Sequence, residues 1–181
     1  MARVEDLNPA TLTPEQKAIH DRIAGTRGGT VRGPFAIWLR NPKLADAADR
    51  LGTTLRNGDL DLRLFEIMVL VVARHWSAQY EWFAHARHAL EAGVSPDVVE
   101  AIRHRRKPAF DRDDERLVYE LVTEMNETRT LSQPTYDRAV AALGLDHVIE
   151  LISSLGFYTM VAIMLNGFDA PVPGGERPLP Q

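Results

Sequence analysis

The sequence predicts an all-α fold, a compact and oligomeric bundle of about seven to nine helices. Three observations carry the prediction. No stretch alternates apolar and polar residues over the length of a strand. Segment after segment repeats apolar residues at helical spacing, bracketed by residues that start and stop helices. Two segments, 64–73 and 148–165, are so apolar all round that they belong at the centre of a bundle.

Each element has its own signature. Thr13 caps a first helix, with Pro14 at its first position and Gln16 closing a capping box, and the helix should stop at Gly25. Residues 28–34 are glycine-rich and read as a loop. Residues 34–39 are short and apolar, enough for a brief covering helix. Asn41, followed by Pro42, caps a helix that ends near Asn57-Gly58. Residues 61–76 form the strongest helix, nearly unbroken in apolar residues after Glu66. Ser77 can cap the next, which runs to Ala92-Gly93. Ser95-Pro96 opens a short helix to about His104. Residues 111–127 are amphipathic, with Asp113, Asp114 and Glu115 suited to a positive N-terminus. Residues 132–143 form another helix, ended by Gly144, and residues 146–166 close the ordered part. The tail from Ala170 is rich in proline and glycine and reads as a loose or partner-hugging arm.

The chain has 181 residues, the size of one domain spanning 1–181. Within it, residues 1–32 form an N-terminal arm with one helix, 33–168 the core and 169–181 the tail. A hydrophobic share of 45% suffices for a core without covalent staples. The net charge of -4 argues against nonspecific nucleic-acid binding, which needs a basic field. The one local basic cluster, Arg103-His104-Arg105-Arg106-Lys107, reads as a solvated helix end, with an anion or subunit contact as the alternative. There is no cysteine, so disulfides, thiolate metal sites and thiol catalysis are excluded. The N-terminus lacks the apolar stretch of a signal peptide, and the run 67–73 is too short to span a bilayer. The apolar segment 148–168 carries Glu150, Ser153, Ser154, Gly156 and Asn166 and reads as a core helix. A cytoplasmic protein without membrane or nucleic-acid partners is the expectation. The apolar surface of the two central helices exceeds what one chain of this size covers, which points to a homo-oligomer.

The chemistry gathers around Tyr80-Glu81-Trp82-Phe83-Ala84-His85 and the upstream Glu66. Glu81 and His85 are four apart, so on a helix they share a face. A carboxylate that orients an imidazole is a minimal acid/base pair. Glu66 interrupts an otherwise apolar helix, and a lone buried carboxylate is costly unless paired.

The run Arg63-Leu64-Phe65-Glu66, the apolar helix that follows, Glu81-Trp82 and His85, then Ala89 and Gly93, resembles the carboxymuconolactone decarboxylase family and its alkylhydroperoxidase D-like (AhpD-like) relatives. The resemblance covers residues 34–102 well and the later helices in outline. The peroxidase branch pairs a glutamate with a Cys-x-x-Cys motif and a histidine. Here Glu66 and His85 fill the glutamate and histidine positions, and Ala78 and Glu81 fall where the cysteines would be. Thiol-dependent peroxide reduction is therefore out. What remains resembles the decarboxylase branch. That resemblance implies an all-helical AhpD-like bundle assembled as trimers or hexamers, with no metal or organic cofactor. It implies a lyase that converts a carboxylated muconolactone to 3-oxoadipate enol-lactone in aromatic catabolism. Glu66, Glu81 and His85 are then the expected proton-transfer residues. An arginine should hold the substrate carboxylate, with Arg74 the first candidate and Arg40 the second.

Plainer readings stand beside these. Glu81 and His85 could be a surface helix pair contributing about 0.3–0.5 kcal/mol. Trp82 suits core or interface packing as well as a substrate platform. His88, three residues after His85, lacks the third firm ligand that a metal site needs. His75 suits a helix C-terminus, and His20, His104 and His147 read as ordinary surface residues. The alternative to a lyase is a non-catalytic all-α assembly or binding protein of the same family, because a fold does not fix a substrate.

Overall fold

A computed structural model describes residues 2–26 and 28–180. Among the described residues there are nine α-helices and no strand. They are α1 (Pro14–Thr26), α2 (Pro34–Trp38), α3 (Pro42–Arg56), α4 (Leu62–His75), α5 (Gln79–Glu91), α6 (Pro96–Arg103), α7 (Asp113–Thr128), α8 (Gln133–Leu143) and α9 (Leu145–Gly167). Local chemistry sets most of the starts. The Thr13 amide donates to Gln16 Oε1 at 3.0 Å, and the Gln16 amide donates back to Thr13 Oγ1 at 3.2 Å. Asn41 accepts from the Leu44 amide, Asp61 from Arg63 and Ser95 from Asp97.

The bundle is built around α4. Every residue from Arg63 to Arg74 is buried, and α5, α7 and α9 pack around it. A helix this apolar is stable only when covered on all sides, so its neighbours are dictated as much as its helicity. The few polar groups along it are tied down. The buried Arg63 donates to Glu115 at 2.5 Å and to Asp114 at 3.1 Å, joining the start of α4 to the start of α7. Gly52 lets α3 approach α9 closely, since a Cβ there would lie 2.8 Å from the Phe157 ring. Glu150 of α9 in turn accepts from the amides of Asp59 and Leu60, fixing the turn between α3 and α4.

One helix, α9, is long and apolar enough to cross a membrane by length and composition, and half of its most apolar window is buried inside the molecule. Val148, Leu151, Leu155 and Ala162 belong to the core. Leu145, Ile149 and Ile163 stay exposed on its outer side.

Two sequence expectations are corrected. Ser77 does not cap α5, because its hydroxyl accepts from Arg74 Nη1 at 3.0 Å and from Arg105 Nη2 at 3.1 Å, and Ala78 takes the cap position without a side-chain bond. The C-terminal tail is not loose. The Gln79 side-chain amide donates to the Leu179 carbonyl at 3.0 Å and accepts from the Leu179 amide at 2.9 Å. Arg103 donates to the Pro178 carbonyl and Arg74 to that of Pro180. Leu179 is buried within the core cluster. Leu179→Ala should therefore destabilise the fold by about 2–4 kcal/mol, read as a lowered denaturation midpoint. A truly free tail would show no change.

Candidate active site

Four elements converge on Glu66. It lies one turn into α4 and is fully buried. Its Oε2 lies 2.8 Å from His85 Nδ1 on α5, and its Oε1 accepts from Arg56 Nη1, at the end of α3, at 3.2 Å. A carboxylate facing a guanidinium is an acceptor on both oxygens. The bond to His85 therefore runs from the ring Nδ1–H to the acid, which fixes the neutral ring's tautomer and leaves Nε2 on the far side. No hydrogen bond reaches Nε2 among the described residues, and the side chain is 13% exposed. Tyr158 of α9 sets its ring edge-on to the imidazole, with centroids 5.1 Å apart. Burial pushes the Tyr158 hydroxyl up to about 12 despite Arg56 beside it, so the phenol stays protonated.

Glu81 is placed differently from expectation. It lies one turn before His85 but makes no bond to it. Its carboxyl is almost wholly buried, and neither oxygen has a hydrogen-bond partner. Burial pushes its proton affinity well above the usual carboxylate range. The two glutamates thus sit in opposite surroundings. Glu66 faces a guanidinium and an imidazole, whereas Glu81 lies in an apolar wall that favours its protonated form. One is suited to orient a base and the other to hold a proton.

The structure brings neither expected arginine to this cluster. Arg74, two turns further along α4, is occupied by Ser77 and the Pro180 carbonyl. Arg40 donates to the backbone carbonyl of Glu5. The arginine that does arrive is Arg56, which sequence reasoning missed. Its signal was its place beside Asn57-Gly58: a tight turn there folds the end of α3 back against the start of α4. Tyr158 was missed as well, hidden in a uniformly apolar helix.

Trp82 is buried and lines a cavity of about 570 Å³ between α5, α6 and the tail, with Phe83, Leu90, Arg103 and Arg177. His85 is not part of that wall, since it leaves α5 on the side facing α9. The four best-formed cavities have none of Glu66, Glu81 or His85 in their walls. His88 pairs with Glu91 at 3.2 Å. Among the described residues no group of three or more His, Asp or Glu side chains is placed to hold a metal ion.

Comparison with known proteins agrees with this architecture. The sequence model of the carboxymuconolactone decarboxylase family matches residues 42–117, which hold α3 to α6 and all of Arg56, Glu66, Glu81 and His85. No curated protein matches the sequence. Among solved structures, an uncharacterized peroxidase-related protein from Silicibacter sp. TM1040 superposes with a TM-score of 0.77 at 15% identity, covering 98% of this chain and 95% of that one. A variant of the debrominase Bmp8, in complex with 2,3,4-tribromopyrrole, gives 0.76 at 15% identity, covering 97% of this chain and 92% of that one. A protein of unknown function from Agrobacterium tumefaciens, named a candidate AhpD-type antioxidant defence protein, gives 0.67 at 13% identity, covering 76% of this chain and 95% of that one. At these identities the structures speak to the fold, and the family match speaks to the segment that carries the cluster. Residues 42–117 thus match the carboxymuconolactone decarboxylase family, and the fold as a whole is similar to that of the three solved structures.

Proposed function

We propose that the chain is a cofactor-free lyase that decarboxylates a small anionic lactone, or a related intermediate of aromatic breakdown, by proton transfer through His85. One observation carries the reading: the 2.8 Å bond from His85 Nδ1 to a buried carboxylate that Arg56 holds on its other oxygen. Loss of carbon dioxide leaves an electron pair that spreads into the unsaturated lactone as a dienolate. The enzyme must disperse that charge and deliver a proton to carbon. The imidazolium form of His85 gives its Nε2 proton to carbon and is left as the neutral Nδ1–H ring, which Glu66 keeps aimed and which water reprotonates for the next cycle, while Glu81 forms part of the buried wall. Arg56, one-third exposed, is the cation available to the substrate carboxylate. The absence of cysteine keeps thiol chemistry, and with it peroxide reduction, out of the reading.

The test is a decarboxylation assay on carboxymuconolactone with purified protein, with His85→Ala in parallel. No turnover by the parent protein removes the substrate assignment. Turnover that survives the substitution removes the proton donor.

A second reading is favoured by the four best-formed cavities, none of which His85 lines. In it the chain is a non-catalytic assembly protein, and the exposed Leu145, Ile149 and Ile163 of α9 meet another copy. In either reading we propose a homo-oligomer. Light scattering coupled to size exclusion decides that point, and a monomer at micromolar concentration would refute it.

A further inference from the structure

The second cationic centre of the molecule lies on the other side of α4. There Arg74, His75, Ile102, Arg105, Arg106, Tyr119, Thr123, Asn126 and Glu127 surround a cavity of about 140 Å³ between α4, α6 and α7, floored by Val71. Its charge is unusual for this chain. Arg22, Arg56, Arg63 and Arg103 all sit on carboxylates. Among the described residues at this cavity, Arg74 is bonded only to Ser77 and the Pro180 carbonyl, Arg105 only to Ser77, and the Arg106 side chain to none. Arg74 is also buried, with 7% of its surface exposed. A buried guanidinium without a counter-charge is expensive.

The polar atoms of the wall make the second observation. Three buried side-chain atoms here lack a hydrogen-bond partner among the described residues: Arg74 Nε, Thr123 Oγ1 and Asn126 Nδ2. All three can donate, and all three belong to residues that line this one cavity. Orphaned buried donors are rare, and each costs about 1–3 kcal/mol. Because α4, α6 and α7 all end at this place, the C-terminal dipoles account for the basic residues. They supply no acceptor to the three donors.

We propose that this cavity is a binding site for a small organic carboxylate, separate from the Glu66–His85 centre. The carboxylate takes the donors of Arg74, Thr123 and Asn126, with Arg105 and Arg106 at the rim. Val71, Ile102 and Tyr119 give its body an apolar wall. The volume equals roughly four to five waters, so the occupant is compact. Glu127 stands alone among the acids of the rim and selects against ligands with a second negative charge on that side. The basic run 103–107, a plain helix end by sequence, thereby acquires a ligand. The site stands independently of the decarboxylase reading, since none of its residues belongs to that cluster.

The test is a titration of the full chain, followed by the Arg74 Nε–H resonance and by calorimetry, with benzoate and with inorganic phosphate as probes at constant ionic strength. Saturable benzoate binding that shifts Arg74 Nε–H, tighter than phosphate by about tenfold, is the expected result. The double variant Thr123→Val with Asn126→Leu should bind benzoate about a hundredfold or more weakly, the loss of two hydrogen bonds to a charged group, and should melt no lower than the parent. Should that variant fail to fold, the exposed Arg106→Gln should weaken benzoate by about threefold or more at unchanged melting temperature. An unmoved Arg74 Nε–H means that only water meets these donors and overturns the site. Phosphate binding as tightly as benzoate, or full affinity in the folded variants, overturns it too.

Discussion

Replacing His85 by alanine should lower turnover of a carboxylated lactone by about 10²- to 10⁴-fold, the usual contribution of a positioned proton-transfer group. The barrier rises because the dienolate left by carbon dioxide has no other donor on the imidazole side. Glu66 is acceptor-only while Arg56 faces it, and Glu81 aims its proton at no described partner. The fold should lose much less. His85 is near the surface of its helix and its removal breaks a single bond to Glu66, so a stability loss of about 1–2 kcal/mol is expected. His85→Gln separates the two effects, since its amide can still donate to Glu66 but cannot carry a proton to carbon. Circular-dichroism melts and initial rates on the same preparations decide the point. Low turnover with near-parental melting supports the assignment. Unchanged turnover in His85→Gln contradicts it.

The second large effect needs no substrate. Glu81 is raised well above the ordinary carboxyl value of 4.5 by burial. In the unfolded chain the same group releases its proton near that ordinary value. Above it the unfolded state binds fewer protons than the folded state, so stability falls as pH rises toward the folded-state value. Below it both states are protonated and the penalty vanishes. Glu81→Gln has nearly the same shape and no proton to lose. Relative to the parent it should gain about 1.4 kcal/mol for each pH unit across that window. Denaturant midpoints of the two proteins at pH 5 and pH 7.5 measure this. Curves that stay a constant distance apart would mean that the Glu81 carboxyl ionises as freely when folded as when unfolded.

The fold was legible because its information is local. Thr13 and Gln16 form their reciprocal cap three residues apart, and the all-apolar pattern of α4 places it in the centre without knowledge of its neighbours. The candidate site was legible only in part. The spacing from Glu66 to His85 crosses one helix–helix turn, and the family resemblance brought both residues into one candidate site while leaving open which glutamate pairs with His85. Periodicity favoured Glu81 as the partner, because it is four residues before His85 on one helix. The structure instead buries Glu81 toward the apolar interior and lets Glu66 reach across from α4. Arg56 arrives from a third helix, and only its place beside the Asn57-Gly58 turn marks it. Arg74 was chosen for its nearness to the apolar helix, yet the helix's own rotation sends it to the tail and to α7. The tail misled through composition. Its prolines and glycines describe an irregular backbone, but Gln79, Arg103 and Leu179 anchor that backbone by contacts distant in sequence.

Everything proposed for catalysis rests on a buried carboxylate holding one nitrogen of an imidazole so that the other is free. Long-range proton–nitrogen correlation spectra of protein labelled with ¹⁵N-histidine report this directly. The account predicts that the neutral His85 ring carries its proton on Nδ1 and that this preference is weakened in Glu66→Gln. A neutral ring protonated on Nε2 in the parent protein would contradict it.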